Sequence, residues 1–91
     1  MRLAVELAVM KMDGEISAVA VGEDSAKFHG MLRINEEAAD IIEILGYGDI
    51  TFTSLVLSLH TKYTDSSLEE IADFTRRFLI ELLKEGLLIV P

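Results

Sequence analysis

The chain has 91 residues, of which 51% are apolar, and sixteen acidic against eight basic side chains give it a net charge of −8. A chain of this length suits one domain with one core, residues 1–91, and its negative charge argues against binding nucleic acid, whose phosphates need cationic partners. The absence of cysteine excludes disulfides, thiolate metal sites and a cysteine nucleophile, and it fits a reducing cytoplasm. Because small domains bury a limited share of their surface, this apolar fraction predicts exposed apolar side chains, which a partner or a second copy in a homodimer would cover.

Three β-strands are predicted in the first third of the chain. Asp13-Gly14 separates two apolar runs, residues 3–12 and 15–21, and this dipeptide is typical of a β-hairpin turn. Residues 31–34 form the third strand. Glu6 interrupts the apolar N-terminal stretch and no small-residue cleavage site follows, so the stretch is interpreted as a strand and not as a signal peptide. No run approaches the roughly 20 apolar residues of a membrane-spanning helix, so a membrane is not an expected partner.

Three amphipathic helices are predicted after the strands. Apolar residues recur every three or four positions in each helix, and each helix follows a residue whose side chain can accept hydrogen bonds from the first helical N–H groups. These predicted caps are Asn35 for the first helix, Thr51 or Thr53 for the second, and Ser66 or Ser67 for the third. With Ser66 as the cap, Glu69 would complete a capping box. Strands followed by helices predict an α+β fold, an antiparallel three-stranded β-meander and then three helices, which is compatible with a winged-helix-like core.

Patterns that indicate catalysis or a bound metal are nearly absent. The two histidines, His29 and His60, belong to no metal-binding or nucleophile motif, and no glycine-rich phosphate loop occurs. The acidic pairs at 36–37 and 69–70 fall in predicted first helical turns, where the helix dipole alone favours negative charge. The sequence therefore predicts a binding protein rather than an enzyme, with no catalytic residues, no metal and no cofactor.

The predicted third strand carries side chains that suit a binding surface. Alternation along the strand places Leu32 and Ile34 on one face, and Met31 and Arg33 on the other. A domain with one core should bury the first pair. Met31 is then an exposed and adaptable apolar contact beside a positive charge.

The predicted third helix carries a second candidate surface. Phe74, Arg77 and Glu81 lie along one line beside the apolar stripe, which includes Phe78. Phe74 is either a large aromatic side chain at the rim of a groove or an ordinary core residue packed on the sheet. The sequence leaves both interpretations open.

Residues 28–36, F-H-G-M-L-R-I-N-E, together with the helix that follows, resemble the strand-to-helix segment of PqqD-like proteins. The hairpin, the second helix with its terminal Tyr63, and S-L-E-E at 67–70 follow in the order that this family shows. Residues 37–41 depart from the pattern of the family. The departure favours a generic PqqD-like member in a peptide-modification pathway over the dedicated pyrroloquinoline quinone protein.

The resemblance implies a peptide chaperone in the biosynthesis of ribosomally made and post-translationally modified peptides. Such proteins bind the leader of a precursor peptide and deliver it to a maturase, often a radical SAM enzyme. The leader adds as a strand to the third β-strand and packs against the third helix. Carried over to this chain, the peptide-binding residues are His29, Met31, Arg33, Phe74, Arg77, Phe78 and Glu81. Phe74 and Phe78 would receive apolar leader residues, while Arg33 and Arg77 would pair with leader acids.

Two functions of other classes remain as alternatives to the peptide chaperone. The first is a winged-helix transcriptional regulator or DNA-binding module, but residues 65–85 carry six acidic and three basic side chains where a basic recognition helix is expected. The second is a structural subunit that dimerises through an unpaired strand or through the apolar residues at the C-terminal end.

Overall fold

The computed structural model describes residues 1–26 and 30–91, without the side chains of residues 24 and 25. In chain order the elements are β1 (Arg2–Leu3), β2 (Leu7–Met12), β3 (Glu15–Ala20), a 3₁₀-helix (Gly22–Ala26), β4 (Met31–Ile34), α1 (Glu36–Leu45), α2 (Phe52–Lys62), α3 (Leu68–Lys84) and β5 (Leu88–Ile89). A three-stranded antiparallel sheet followed by three helices confirms the predicted α+β fold. Within the described ranges, no helix is both long enough and apolar enough to cross a membrane.

The meander has the strand order β2-β3-β4. The predicted hairpin turn is confirmed, because Asp13 and Gly14 have φ angles of 51° and 79° and join β2 to β3. Both central residues of such a turn need positive φ, which aspartate tolerates and glycine adopts freely. β3 then pairs with β4 in the register Ser17↔Arg33 and Val19↔Met31.

The strand predicted at residues 3–12 is two strands in the structure. β1 leaves the meander and pairs with β5 in the register Arg2↔Ile89 and Leu3↔Leu88. The Ala4 N–H extends this pairing by donating to the Leu87 carbonyl at 2.8 Å. The prediction of one strand was wrong because alternating apolar residues indicate an extended backbone but do not specify the strand with which it pairs.

Three helix caps explain where the helices begin. The side-chain oxygens of Asn35, Thr51 and Ser67 accept hydrogen bonds from the N–H groups of residues three positions on, at 2.9–3.1 Å. For α3 the cap is Ser67, the second of the two predicted residues, and the capping box is completed by Glu70 instead of Glu69. Both Ser66 and Ser67 have a glutamate three residues later, so the local pattern cannot distinguish the two registers. Hydrogen bonds from the Ser67 N–H and hydroxyl hold the pKa of the Glu70 carboxyl below its ordinary value.

The core joins the three helices to the inner face of the meander. Its largest fully buried side chains are Ile41, Leu45, Leu55, Leu82, Leu87 and Thr75. The outer face of the meander carries Met10, Met12 and Met31, whose exposed fractions are 44%, 65% and 64%. This face confirms the prediction that apolar side chains remain on the surface.

Thr75 is fully buried in α3, and no described residue supplies a hydrogen-bond partner for its hydroxyl. A buried hydroxyl without a partner costs free energy, so Thr75→Val is expected to raise the free energy of unfolding by about 1 kcal/mol. Thr75→Ser is the matched control, because it keeps the hydroxyl and removes the methyl group, and it is expected to lower that free energy by about 1 kcal/mol. Urea denaturation of the three proteins measures the effect. A valine variant that unfolds more easily than the native protein would contradict it.

Candidate functional site

The edge of β4 is open in the described part of the chain. One side of the strand pairs with β3, and no described strand lies on the other side. Alternate residues of an edge strand point their N–H and C=O groups outward, so this side can accept hydrogen bonds from an extended chain. As predicted, Met31 and Arg33 are exposed, whereas Leu32 and Ile34 turn inward.

A cleft of about 410 Å³ lies between β4, the start of α1 and α3. Its walls are Arg33, Ile34, Asn35, Ala38, Phe74, Arg77, Phe78 and Glu81. Five of the seven side chains predicted for the binding surface therefore lie together: Arg33, Phe74, Arg77, Phe78 and Glu81. The strand and the helix that contribute them are about forty residues apart in the chain.

The apolar wall of the cleft comes from two phenylalanines of α3. Phe78 is buried, with 6% of its surface exposed, and belongs to the core. Phe74 is half-buried and packs on the core from the side of the cleft. The two interpretations of Phe74 are thus combined, because one part of the ring contacts the core and another part lines the cleft.

The two arginines of the cleft make ion pairs within the chain. Arg33 Nη2 lies 3.2 Å from Glu15 Oε2, and Arg77 Nη2 lies 2.9 Å from Asp73 Oδ2. The arginine side chains are 76% and 71% exposed, and exposed ion pairs of this kind contribute at most about 1 kcal/mol. Either guanidinium can therefore exchange its partner for an anionic group of a ligand at small cost.

The other predicted residues have different positions. Met31 does not line the cleft and lies on the outer face of the meander, two positions before Arg33. His29 lies outside the described residues. Two residues of the cleft wall were not among the predicted binding residues: Asn35, which was predicted as a helix cap, and Ala38, which is buried on the apolar face of α1. The signal for them was that only Asn35 separates β4 from α1, which brings the first turn of α1 beside the strand.

A polar contact between α1 and α2 lies apart from this cleft. The Asp40 carboxylate accepts a hydrogen bond from the Tyr63 hydroxyl and a second one from Lys62 Nζ at 3.0 Å. Burial, and then the hydrogen bond to Asp40, raise the pKa of Tyr63 above its ordinary value of 10.0. The hydrogen bond to Asp40 also raises the pKa of Lys62. The contact fixes the end of α2 against α1 and has a structural role.

Among the side chains that the structure describes, no group of three or more histidine, cysteine, aspartate or glutamate residues could hold a metal ion.

The fold has a solved counterpart. This chain is similar in structure to TbiB1 in complex with the TbiA(beta) leader peptide. The comparison gives a TM-score of 0.71 and covers 100% of this chain and 99% of that chain, at 14% sequence identity. At this identity the similarity shows a shared fold. No family model and no curated protein matches the sequence.

Proposed function

We propose that this protein is a non-catalytic peptide chaperone. It binds the leader of a ribosomally made precursor peptide as an added strand on the open edge of β4 and presents it to a modifying enzyme, with a radical SAM maturase as the expected partner. Residues 1–91 act as one peptide-binding domain. The observation that carries the proposal is the cleft of about 410 Å³ beside that edge, which contains five side chains of the predicted binding surface. The shared fold with TbiB1, a protein solved in complex with a leader peptide, supports it.

In strand addition the backbone supplies affinity and the side chains supply selectivity. Hydrogen bonds along the edge of β4 recognise any extended chain, and each contributes about 0.5–1.5 kcal/mol. Selectivity comes from the cleft, where Phe74 and Phe78 contact an apolar side chain and Arg33 and Arg77 attract an acidic one. β4 has four residues and buries modest area, so the affinity is expected to lie below that of large obligate interfaces.

The decisive test is an NMR titration of the ¹⁵N-labelled protein with the precursor peptide encoded by a neighbouring gene. Amide signals of Met31–Ile34 and of residues 74–81 are expected to shift most. The proposal is wrong if a peptide binds without shifting the amide signals of either segment, or if no peptide binds. Measurable binding to duplex DNA with a steep dependence on salt would instead favour the winged-helix regulator. A homodimer, which the exposed methionines allow, stays a prediction.

Strand addition makes a second prediction about the ligand. Successive residues of a strand point their N–H groups to opposite sides, so only alternate peptide residues can donate to β4. N-methylation of the bound peptide, one residue at a time, is expected to lower the affinity with a period of two, by about ten-fold at each sensitive position. Fluorescence anisotropy measures the series, with N-methylation outside the bound segment as the control. A loss of affinity without this alternation would exclude an added strand.

A further inference from the structure

A second cavity, of about 290 Å³, lies next to the cleft. It is bounded by the first residues of α1, the end of α2 and the start of α3, and Asn35 and Phe74 belong to both spaces. One water occupies about 30 Å³ in the liquid, so the cavity has the size of a whole side chain. The Phe74 ring is the common wall between cavity and cleft.

The inner part of this cavity is apolar and its outer part is acidic. Leu59 and Ile71 are buried and form the inner wall together with the Phe74 ring. Glu37 is half-buried and Glu70 is exposed, so their carboxylates lie toward solvent. The cavity therefore combines an apolar interior with two negative charges at its opening.

Neither carboxylate is paired with a cation in the described part of the chain. The nearby basic side chains have other partners, since Lys62 pairs with Asp40 and both Arg76 and Arg77 pair with Asp73. In the described residues the Glu70 carboxylate accepts hydrogen bonds from Ser67, which is neutral, so its negative charge stays unpaired. The two helix dipoles offset this charge only in part, because each contributes about half a positive charge.

We propose that this cavity is a subsite for a lysine or arginine side chain of the bound peptide. The aliphatic stem lies against Leu59, Ile71 and Phe74, and the cationic end meets Glu37 and Glu70. The proposal rests on the proposed function, because it deepens the specificity of the same peptide site.

The two carboxylates at the opening of the cavity favour a basic side chain over other occupants. An aliphatic or aromatic side chain would fill the apolar interior but would desolvate two carboxylates without giving them a partner, and an acidic side chain would be repelled. Arg33 and Arg77 lie on the other side of Phe74, in the cleft. The two spaces together therefore favour a peptide in which an acidic and a basic residue flank an apolar one, and this pattern fixes the register of the added strand.

The test begins with selection of peptides from a random display library on the immobilised full chain. The retained peptides are expected to be enriched in lysine or arginine near an apolar residue. One retained peptide is then synthesised with its lysine and with norleucine in that position, which keeps an aliphatic stem and removes the ammonium group. Dissociation constants of both peptides are measured with the native protein, with an E37Q/E70Q variant and with an E43Q/E69Q control.

Both double variants are expected to keep the fold. The glutamine that replaces Glu70 can still accept the hydrogen bond from the Ser67 N–H, so the cap of α3 is kept. The control removes two carboxylates from the same two helices, at Glu43 and Glu69, which do not line the cavity. The exchange of lysine for norleucine is expected to lower the affinity roughly five- to thirty-fold with the native protein and the control, and less than about two-fold with E37Q/E70Q.

Failure of the subsite and failure of the proposed function give different results. Two results would overturn the subsite alone. One is a set of retained peptides without enrichment in basic residues. The other is that norleucine lowers the affinity equally for E37Q/E70Q and for the native protein. No retained peptide, or peptides that shift amide signals in neither β4 nor α3, would overturn the proposed function and the subsite with it.

Discussion

Replacement of Phe74 by alanine is expected to weaken peptide binding by about thirty-fold, or about 2 kcal/mol. Phe74 is the large aromatic side chain that faces the cleft without being fully buried, and it is also the wall shared with the adjacent cavity. Aromatic anchors in partly enclosed pockets carry a large share of the binding energy of an interface. One truncation would therefore remove a contact from both spaces.

Phe52→Ala is the matched control for this variant. Phe52 is also half-buried and packs on the same core, but it lies at the start of α2, where Arg76 is placed over its ring at 5.5 Å, and it does not line the cleft. Both truncations are expected to lower the free energy of unfolding by similar amounts, while Phe74→Ala alone weakens the peptide complex. Calorimetric titration and urea denaturation separate the two effects. Equal binding by both variants would show that the peptide does not use the cleft.

Replacement of Asp40 by alanine is expected to lower the free energy of unfolding by about 2–3 kcal/mol. The Asp40 side chain is 16% exposed and is the hydrogen-bond acceptor for both the Tyr63 hydroxyl and Lys62. Its removal leaves the half-buried hydroxyl without a partner. Asp40→Asn keeps an acceptor oxygen and is expected to lower the free energy of unfolding by about half as much. Urea denaturation measures both variants, and an alanine variant as stable as the native protein would exclude a structural role for the contact.

The same contact predicts how stability changes at alkaline pH. The pKa of Tyr63 is raised in the folded state above its ordinary value of 10.0, so its contribution to stability is complete below that pH and is lost as the pH rises toward the folded pKa. The native protein is therefore expected to lose stability above pH 10.0 faster than Tyr63→Phe. A Tyr47→Phe background leaves Tyr63 as the single tyrosine, so tyrosinate absorbance reports its titration directly. If the free energy of unfolding falls equally with pH in the native protein and in Tyr63→Phe, the prediction is contradicted.

Most of the secondary structure was predictable because its signals are local. The hairpin at Asp13-Gly14, the caps at Asn35 and Thr51, and the periodic apolar stripes each depend on residues a few positions apart. Where two local solutions were equivalent, as at Ser66 and Ser67, the prediction left both open and the structure has Ser67 as the cap.

Part of the candidate site was predictable for a different reason. Alternation in β4 and periodicity in α3 indicate which side chains lie on or beside the apolar face of each element, and four of them line the cleft together with the core residue Phe78. Asn35 was missed because its role as a cap already accounted for it, and Ala38 was missed because it is a small buried residue of α1. Met31 lies on the same outer face of the meander as Arg33 but does not line the cleft, since alternation specifies a face of the sheet and not its distance from a helix.

The sequence by itself determined the α+β order, the absence of cysteine, the acidic charge and the candidate side chains of one strand and one helix. Only the tertiary structure decided that β4 lies beside α3, that β1 pairs with β5, and that Glu37 and Glu70 from separate helices share one cavity. Turns, caps and amphipathic faces arise from hydrogen bonds and side-chain spacing within a few residues. The meeting of elements about forty residues apart depends on how all their apolar faces pack into one core, which no local pattern encodes.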